Sequence, residues 1–257
     1  MTSLFRAITF CAIKFSVLFL LLSSASAHEF WIDQEGRQFI LKQGHLSAAH
    51  KTSAHITSAH TGATAVAYDP AIITQVQCSD NAGKHKAITY KGNPAQVEGD
   101  CAAITFQLNS GDWTKTPYDT LNKPKHEVKG ALHSWRSEET VTRIARWTPA
   151  LAKIDASAYA NPYANPSGLQ LSLSTDPSRL KKGDKFTVVA TLHGVPQAKV
   201  AVAYDGDTRG ITDSAGRINL RVRHGGLQLI SASLETPLTD GQADSLIRAA
   251  TLNFMLP

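Results

Sequence analysis

The sequence predicts an all-β protein made of two tandem antiparallel β-sandwich domains behind an export signal. Three observations support this prediction. Short segments rich in Val, Ile, Leu and Thr recur along the chain. Turn-forming pairs such as Asp-Pro, Gly-Asp, Asp-Gly and Gly-Gly separate these segments, as in sandwiches of the immunoglobulin or prealbumin type. Two Asn-Pro pairs within 161–166 resist regular structure and divide the segments into two groups.

The first 27 residues have the character of a cleaved signal peptide. Arg6 and Lys14 supply positive charge, Phe15–Leu22 is a short apolar run, and Ala25-Ser26-Ala27 is a small-x-small cleavage pattern. The run is shorter than the roughly 20 residues that cross a bilayer. We therefore predict an exported, soluble mature chain that starts at His28 and does not span the membrane.

Charge and cysteine content narrow the function classes. Loss of Arg6 and Lys14 with the leader lowers the net charge from +5 to +3, and the remaining cations are scattered, so no nucleic-acid partner is predicted. The mature chain keeps Cys78 and Cys101. In an oxidising compartment they are predicted to form one disulfide, with a metal-binding thiol pair as the alternative.

Residues 28–150 are predicted to form the first domain, 151–168 a linker, and 169–257 the second domain. Strands are expected in the first domain at 29–33, 38–42, 72–77, 87–90 and 102–108. In the second they are expected at 169–174, 185–192, 199–204, 216–222, 227–234 and 248–256. Glu139–Trp147 fits a helix in part, but its Val, Thr and Ile residues favour a strand, which we assign. Thr212–Arg217 is predicted to be a tight hairpin connection with Gly216 at positive φ.

Four histidines between the second and third strands are the candidate metal ligands of this domain. They recur at a constant spacing of five residues and include a repeated Thr-Ser-Ala-His: His45, His50, His55 and His60. Such a step does not keep side chains on one face of a helix or a strand, so a loop is predicted. Neutral imidazole binds nickel, cobalt, copper and zinc, and His28 would add an α-amine at the mature N-terminus. The alternative is a tolerated repeat with no ligand role.

Short motifs along nearly the whole mature chain carry a family resemblance: His28–Ile32, Gly44-His45, Tyr68-Asp69-Pro70, Gly111–Pro117, Asn122–Ala131, Asp176-Pro177, Leu180–Asp184 and Thr212–Arg217. Together they resemble the periplasmic NikM-like family, which is associated with nickel and cobalt transport.

The resemblance implies an all-β periplasmic component that binds a divalent transition metal, nickel or cobalt with copper or zinc possible, and passes it to membrane transporter components. His28 and His45 match family positions, whereas His50, His55 and His60 elaborate this sequence. Glu29 or Asp33 could add an oxygen ligand.

Enzyme activity is not predicted, because the sequence has no Gly-x-Ser-x-Gly elbow, phosphate loop or His-Glu-x-x-His pattern. Two alternatives to a nickel or cobalt carrier stay open. One is a copper-binding histidine brace, serving as carrier or oxidase, and the other is a metal-independent module that binds a protein partner.

Overall fold

The computed structural model describes residues 29–46, 63–152 and 168–257, and nearly all of their regular structure is β. Short 3-10 turns occur at Pro70–Ile72, Lys125–Glu127 and Pro177–Arg179. The strands are β1 (Glu29–Glu35), β2 (Gln38–Leu46), β3 (Ala63–Val66), β4 (Ile73–Ser79), β5 (His85–Ala87), β6 (Gln96–Glu98), β7 (Ala103–Lys115), β8 (Thr120–Leu121), β9 (His133–Ile144), β10 (Leu169–Leu173), β11 (Lys185–Leu192), β12 (Val195–Pro196), β13 (Ala201–Tyr204), β14 (Asp207–Ile211), β15 (Arg217–Arg221), β16 (Gly226–Pro237) and β17 (Ser245–Leu256).

These strands form three sheets, one of which contains strands from both halves of the chain. The first outer sheet has the order β1-β2-β3 with β6 also paired to β2, and the second has β10-β11-β12 with β15 also paired to β11. The central sheet has the order β14-β13-β16-β17-β9-β7-β4-β5, with β8 paired to β7. Strands β17 and β9 run parallel, whereas the other recorded ladders are antiparallel. The predicted all-β, sandwich-like fold is confirmed.

The two outer sheets pack on opposite faces of the central sheet. Val141 of β9 belongs to the core that contains Phe30 and Phe39 of the first outer sheet. Ile144, on the other face of the same strand, belongs to the core that contains Phe186 of the second outer sheet. Each half of the chain therefore has its own core, while the sheet between those cores is continuous.

Strand β1 also contacts the second half of the central sheet. The Trp31 ring is fully buried against Leu227 and Leu229 of β16. The Asn253 side chain on β17 donates from Nδ2 to Ile32 O (2.8 Å) and accepts from Ile32 N at Oδ1 (3.2 Å). The Asn253 amide therefore bonds the Ile32 backbone as a neighbouring strand would. Side-chain contacts thus join the two halves, in addition to the backbone pairing of β9 with β17.

The strand predictions agree best where a strand lies in a core. The segment at 185–192 matches β11, and the ambiguous segment Glu139–Trp147 is largely a strand, with β9 ending at Ile144. The strand predicted at 87–90 is wrong in position, since β5 spans His85–Ala87. The predicted linker lies mainly in 153–167, outside the described residues.

The hairpin predicted at Thr212–Arg217 needs a correction. The segment is a tight turn in which Asp213 accepts from the Ala215 and Arg217 amides, each at 2.9 Å. Gly216 has φ +69°, and an added Cβ would lie 2.5 Å from Ala190 O. However, the turn joins β14 of the central sheet to β15 of the second outer sheet, so it crosses between layers instead of closing a hairpin.

The disulfide predicted between Cys78 and Cys101 is present, with Cα atoms 5.4 Å apart. We expect replacement of both cysteines by alanine to lower the free energy of unfolding by about 3 kcal/mol, because the bond closes a loop of just over 20 residues. Urea denaturation of the double variant, beside the oxidised parent, measures the difference. Equal stability of the two proteins would contradict this expectation.

Candidate functional site

The first hairpin places the backbone of Glu29 and His45 at one end of the first outer sheet. Glu29 at the start of β1 pairs with Gly44 of β2, and His45 follows as the partner of Thr64 on β3. The last pair of β2 and β3 joins Leu46 to Ala63. Segment 47–62, which carries three of the histidines, therefore lies in the sequence between two residues that pair with each other.

The structure describes only part of the predicted ligand set. The backbone of His45 lies in β2. The other four candidates lie outside the described residues: His28, His50, His55 and His60. Within 29–46, 63–152 and 168–257, no group of three or more His, Cys, Asp or Glu side chains is arranged to hold a metal ion.

Asp33, offered by the sequence as an oxygen ligand, has a structural role instead. Its buried carboxylate accepts from Trp31 Nε1 at 3.1 Å and forms an ion pair with Lys42 Nζ at 2.5 Å. The Arg143 guanidinium lies nearby and is almost fully buried, and this burial lowers its pKa to about 10 although the Asp33 charge opposes the shift. Both oxygens of Asp33 are therefore already engaged by cationic or donor groups.

Glu139 on β9 is the carboxylate near this end of the hairpin that the sequence did not single out. It accepts from Thr251 Oγ1 at 2.9 Å. Burial raises its pKa to about 7, the Thr251 hydrogen bond opposes this shift, and the negative charge of Glu29 adds to it. A carboxyl group that is partly protonated near neutral pH would be stabilised in its charged form by a cation bound nearby.

Glu139→Gln is expected to raise the free energy of unfolding by about 2 kcal/mol at pH 8 and to leave it nearly unchanged at pH 4. The raised pKa means that the folded state holds this proton more tightly than the unfolded state. The stabilising contribution is complete below the ordinary glutamate pKa of about 4.5 and is lost as the pH rises to about 7. Thermal denaturation across pH 4–8 tests this, with exposed Glu98→Gln as the control. Parallel pH profiles for parent and Glu139→Gln would contradict it.

The remaining described histidines are dispersed and have local partners. His224 pairs with Asp205 at 2.8 Å, and His85 Nδ1 lies 2.8 Å from Ser79 Oγ. His133 stacks on Trp135 with ring centroids 5.8 Å apart, and His126 lies 3.9 Å from Glu127. His193 occupies a positive-φ position. These five histidines lie on separate elements of the described structure.

A cavity of about 510 Å³ lies where the two halves meet, away from the first hairpin. Its polar lining is mostly uncharged and includes Gln77, Thr105, Thr142, Gln170 and Thr191. The volume is in the range of small-molecule sites. His85 is the one described lining residue with an imidazole, and no described lining residue carries a carboxylate or a thiol, so this cavity does not offer the ligand set expected for a transition metal.

Comparison with known proteins places the chain in a family. A family model for a domain of unknown function, DUF4198, matches residues 25–236. The chain belongs to the DUF4198 family. The match begins before β1 and extends into β16, so the DUF4198 domain includes strands of both halves and of all three sheets.

No curated protein matches this DUF4198 member. Among solved structures, it is similar to fibronectin(III)-like modules of CbhA from Clostridium thermocellum, with 10% identity and a TM-score of 0.21 over 89% of this chain and 95% of that one. We draw no functional argument from this likeness. In the described parts of the DUF4198 member, no helix has the length and apolar character needed to cross a membrane.

Proposed function

We propose that this DUF4198 protein is a periplasmic binding component for a divalent transition metal, nickel or cobalt, and that it assists uptake of the metal by a membrane transporter. The metal is cargo and not the cofactor of a reaction. Its favoured ligands are His28, His45, His50, His55 and His60. The resemblance to the NikM-like family supports the choice of metal and the transport role.

The observation that carries the proposal is the register at the first hairpin. His45 directly follows Gly44, which pairs with Glu29, and a peptide bond joins Glu29 to His28. The backbone neighbours of the two family-matched histidines, Glu29 and Gly44, are therefore directly paired. Segment 47–62 carries the three further histidines, and the residues that precede and follow it, Leu46 and Ala63, pair with each other, so the length of the segment limits how far these histidines can lie from that pair.

The chemistry of this end of the hairpin suits a nitrogen-rich site. Imidazoles and an α-amine favour nickel, cobalt, copper and zinc over magnesium or calcium. Glu29 supplies negative charge at the start of β1, and the charged form of Glu139 nearby would be stabilised by a bound cation. Since imidazole binds metal in its neutral form, affinity should fall as the pH drops below about 6.5.

Calorimetric titration of untagged protein that starts at His28 tests the proposal, with nickel, cobalt, copper and zinc in turn. We expect stoichiometric binding at micromolar or lower Kd for nickel or cobalt. The triple variant His50→Gln/His55→Gln/His60→Gln should weaken it at least roughly tenfold, since each lost ligand removes a metal bond. His126→Gln/His193→Gln is the matched control, because both side chains are exposed and lie on other loops.

The outcomes separate the candidate functions. No heat with any of the four ions would contradict metal binding and favour a module that binds a protein partner. Selective copper binding that yields peroxide with a reductant would favour the histidine-brace alternative. Binding that survives the triple substitution but is lost when the His28 amine is acetylated would restrict the site to the family-matched positions.

A further inference from the structure

Residues 116–132 form an ordered excursion between the ends of β7 and β9, which we call the display loop. It contains β8 and the 3-10 turn Lys125–Glu127. Most of the two family-specific motifs, Gly111–Pro117 and Asn122–Ala131, lie in this loop or at its base. The metal proposal gives these motifs no task.

The motif side chains fasten the loop to the sheet. Asn122 Nδ2 donates to Ser110 O at 2.7 Å, and the buried Thr114 donates from Oγ1 to Lys123 O at 2.8 Å. The backbone amide of Lys125 donates to Gln242 O at 2.9 Å, and its ammonium group pairs with Asp244. These contacts join the loop to β7 and to the segment before β17, so the motifs hold the loop in one conformation.

A second set of bonds shapes the tip of the display loop. The Thr116 amide donates to Asp119 O at 2.8 Å, and Thr116 Oγ1 accepts from the amides of Tyr118 at 3.2 Å and Asp119 at 3.0 Å. The turn leaves Tyr118 97% exposed. At this exposure the Tyr118 ring is not stabilised by burial in the hydrophobic core of its own chain.

The display loop also concentrates exposed apolar side chains. In the described part of the chain five large hydrophobic residues are exposed, and three of them lie in this loop: Tyr118 (97%), Leu121 (37%) and Leu132 (63%). Charges of both signs lie in the same loop or at its base: the exposed lysines are Lys115, Lys123 and Lys129, and the exposed acidic residues are Asp119 and Glu127. Apolar anchors within a mixed-charge rim are typical of protein interfaces, whereas an acidic tip residue disfavours an anionic membrane.

We propose that the display loop is a docking surface for a partner protein that offers an apolar pocket for Tyr118 bordered by carboxylates. The loop is already ordered, so docking would cost little conformational entropy, and a tyrosine in a desolvated pocket is a common anchor of such contacts. Because exposed lysines outnumber exposed acidic residues in and beside the loop, the rim of the partner's pocket is expected to be negatively charged. The inference does not depend on the metal proposal.

Photo-crosslinking in intact cells that export the full chain tests the surface, with no metal added. Tyr118 or Leu132 is replaced by p-benzoylphenylalanine, and exposed Val195 of the second half is replaced in the same way as the matched control. We expect one covalent product of the same mass from positions 118 and 132 and none from 195. Lys115→Glu/Lys123→Glu should reduce its yield several-fold.

The partner identified in that product is then purified and titrated with the parent protein and with Tyr118→Ala, which we expect to bind at least roughly tenfold more weakly. A product that forms equally from position 195, a homodimer, or no protein product would overturn the proposal. So would sedimentation with vesicles of phosphatidylglycerol and phosphatidylcholine that requires Tyr118, since the loop would then be a membrane anchor. Loss of metal binding in the histidine variants leaves these outcomes unaffected.

Discussion

Trp31→Ala is expected to lower the free energy of unfolding by about 4 kcal/mol, the largest effect of a single side chain that we anticipate. The indole is fully buried against Leu227 and Leu229, and the substitution leaves a large cavity between β1 and β16. It also removes the donor that bonds to Asp33. Chemical denaturation monitored by circular dichroism provides the measurement.

Trp31→Phe separates the two contributions to this effect. Phenylalanine retains most of the apolar contact but cannot donate to Asp33, so we expect a loss of about 1–2 kcal/mol. A cost for Trp31→Ala below that of Trp31→Phe would show that β1 does not depend on this contact.

Asn253→Ala is expected to lower the free energy of unfolding by about 3 kcal/mol. The side-chain amide bonds both the N–H and the C=O of Ile32, and it is fully buried, so truncation leaves two backbone groups without these partners in a site that water does not reach. Denaturation in urea measures the change.

Asn219→Ala is the matched control for this prediction. Asn219 lies on β15, is exposed, and makes a side-chain contact with Thr187. Its replacement should cost less than about 0.5 kcal/mol. Equal effects of the two substitutions would mean that the Asn253 amide does not fix β1 to β17.

The ambiguity of Glu139–Trp147 in the sequence has a physical origin in the layered fold. Because β9 lies in the central sheet, it has a core on each face. Val141 packs in the core shared with the first outer sheet and Ile144 in the core shared with the second, so both residues are apolar. In a helix, apolar residues three positions apart lie on one face, so the same spacing in a strand that is buried on both faces looks like a helical pattern. Periodicity alone cannot separate the two, and β propensity decided in favour of the strand.

Other elements were missed because they lack a core-facing pattern. β14 is an edge strand whose residues are mostly exposed and whose sequence, Asp-Thr-Arg-Gly-Ile, carries turn-forming residues. The parallel pairing of β9 with β17 joins positions more than a hundred residues apart, which no local pattern encodes. Of the candidate site, the sequence identified the histidines and Glu29, but it could not identify Glu139, whose significance depends on burial beside Thr251.

The parallel contact between β9 and β17 also has a consequence for the order of events during biogenesis. A chain is synthesised with its earlier strands first, so β9 has an unpaired edge until a strand from much later in the sequence pairs with it. Such an edge can recruit other chains. The first half therefore keeps an unpaired strand edge until the second half has been made. A nascent chain halted before β17 should be a substrate for chaperones and proteases, and truncations in this region should be judged by solubility in the cell as much as by melting temperature.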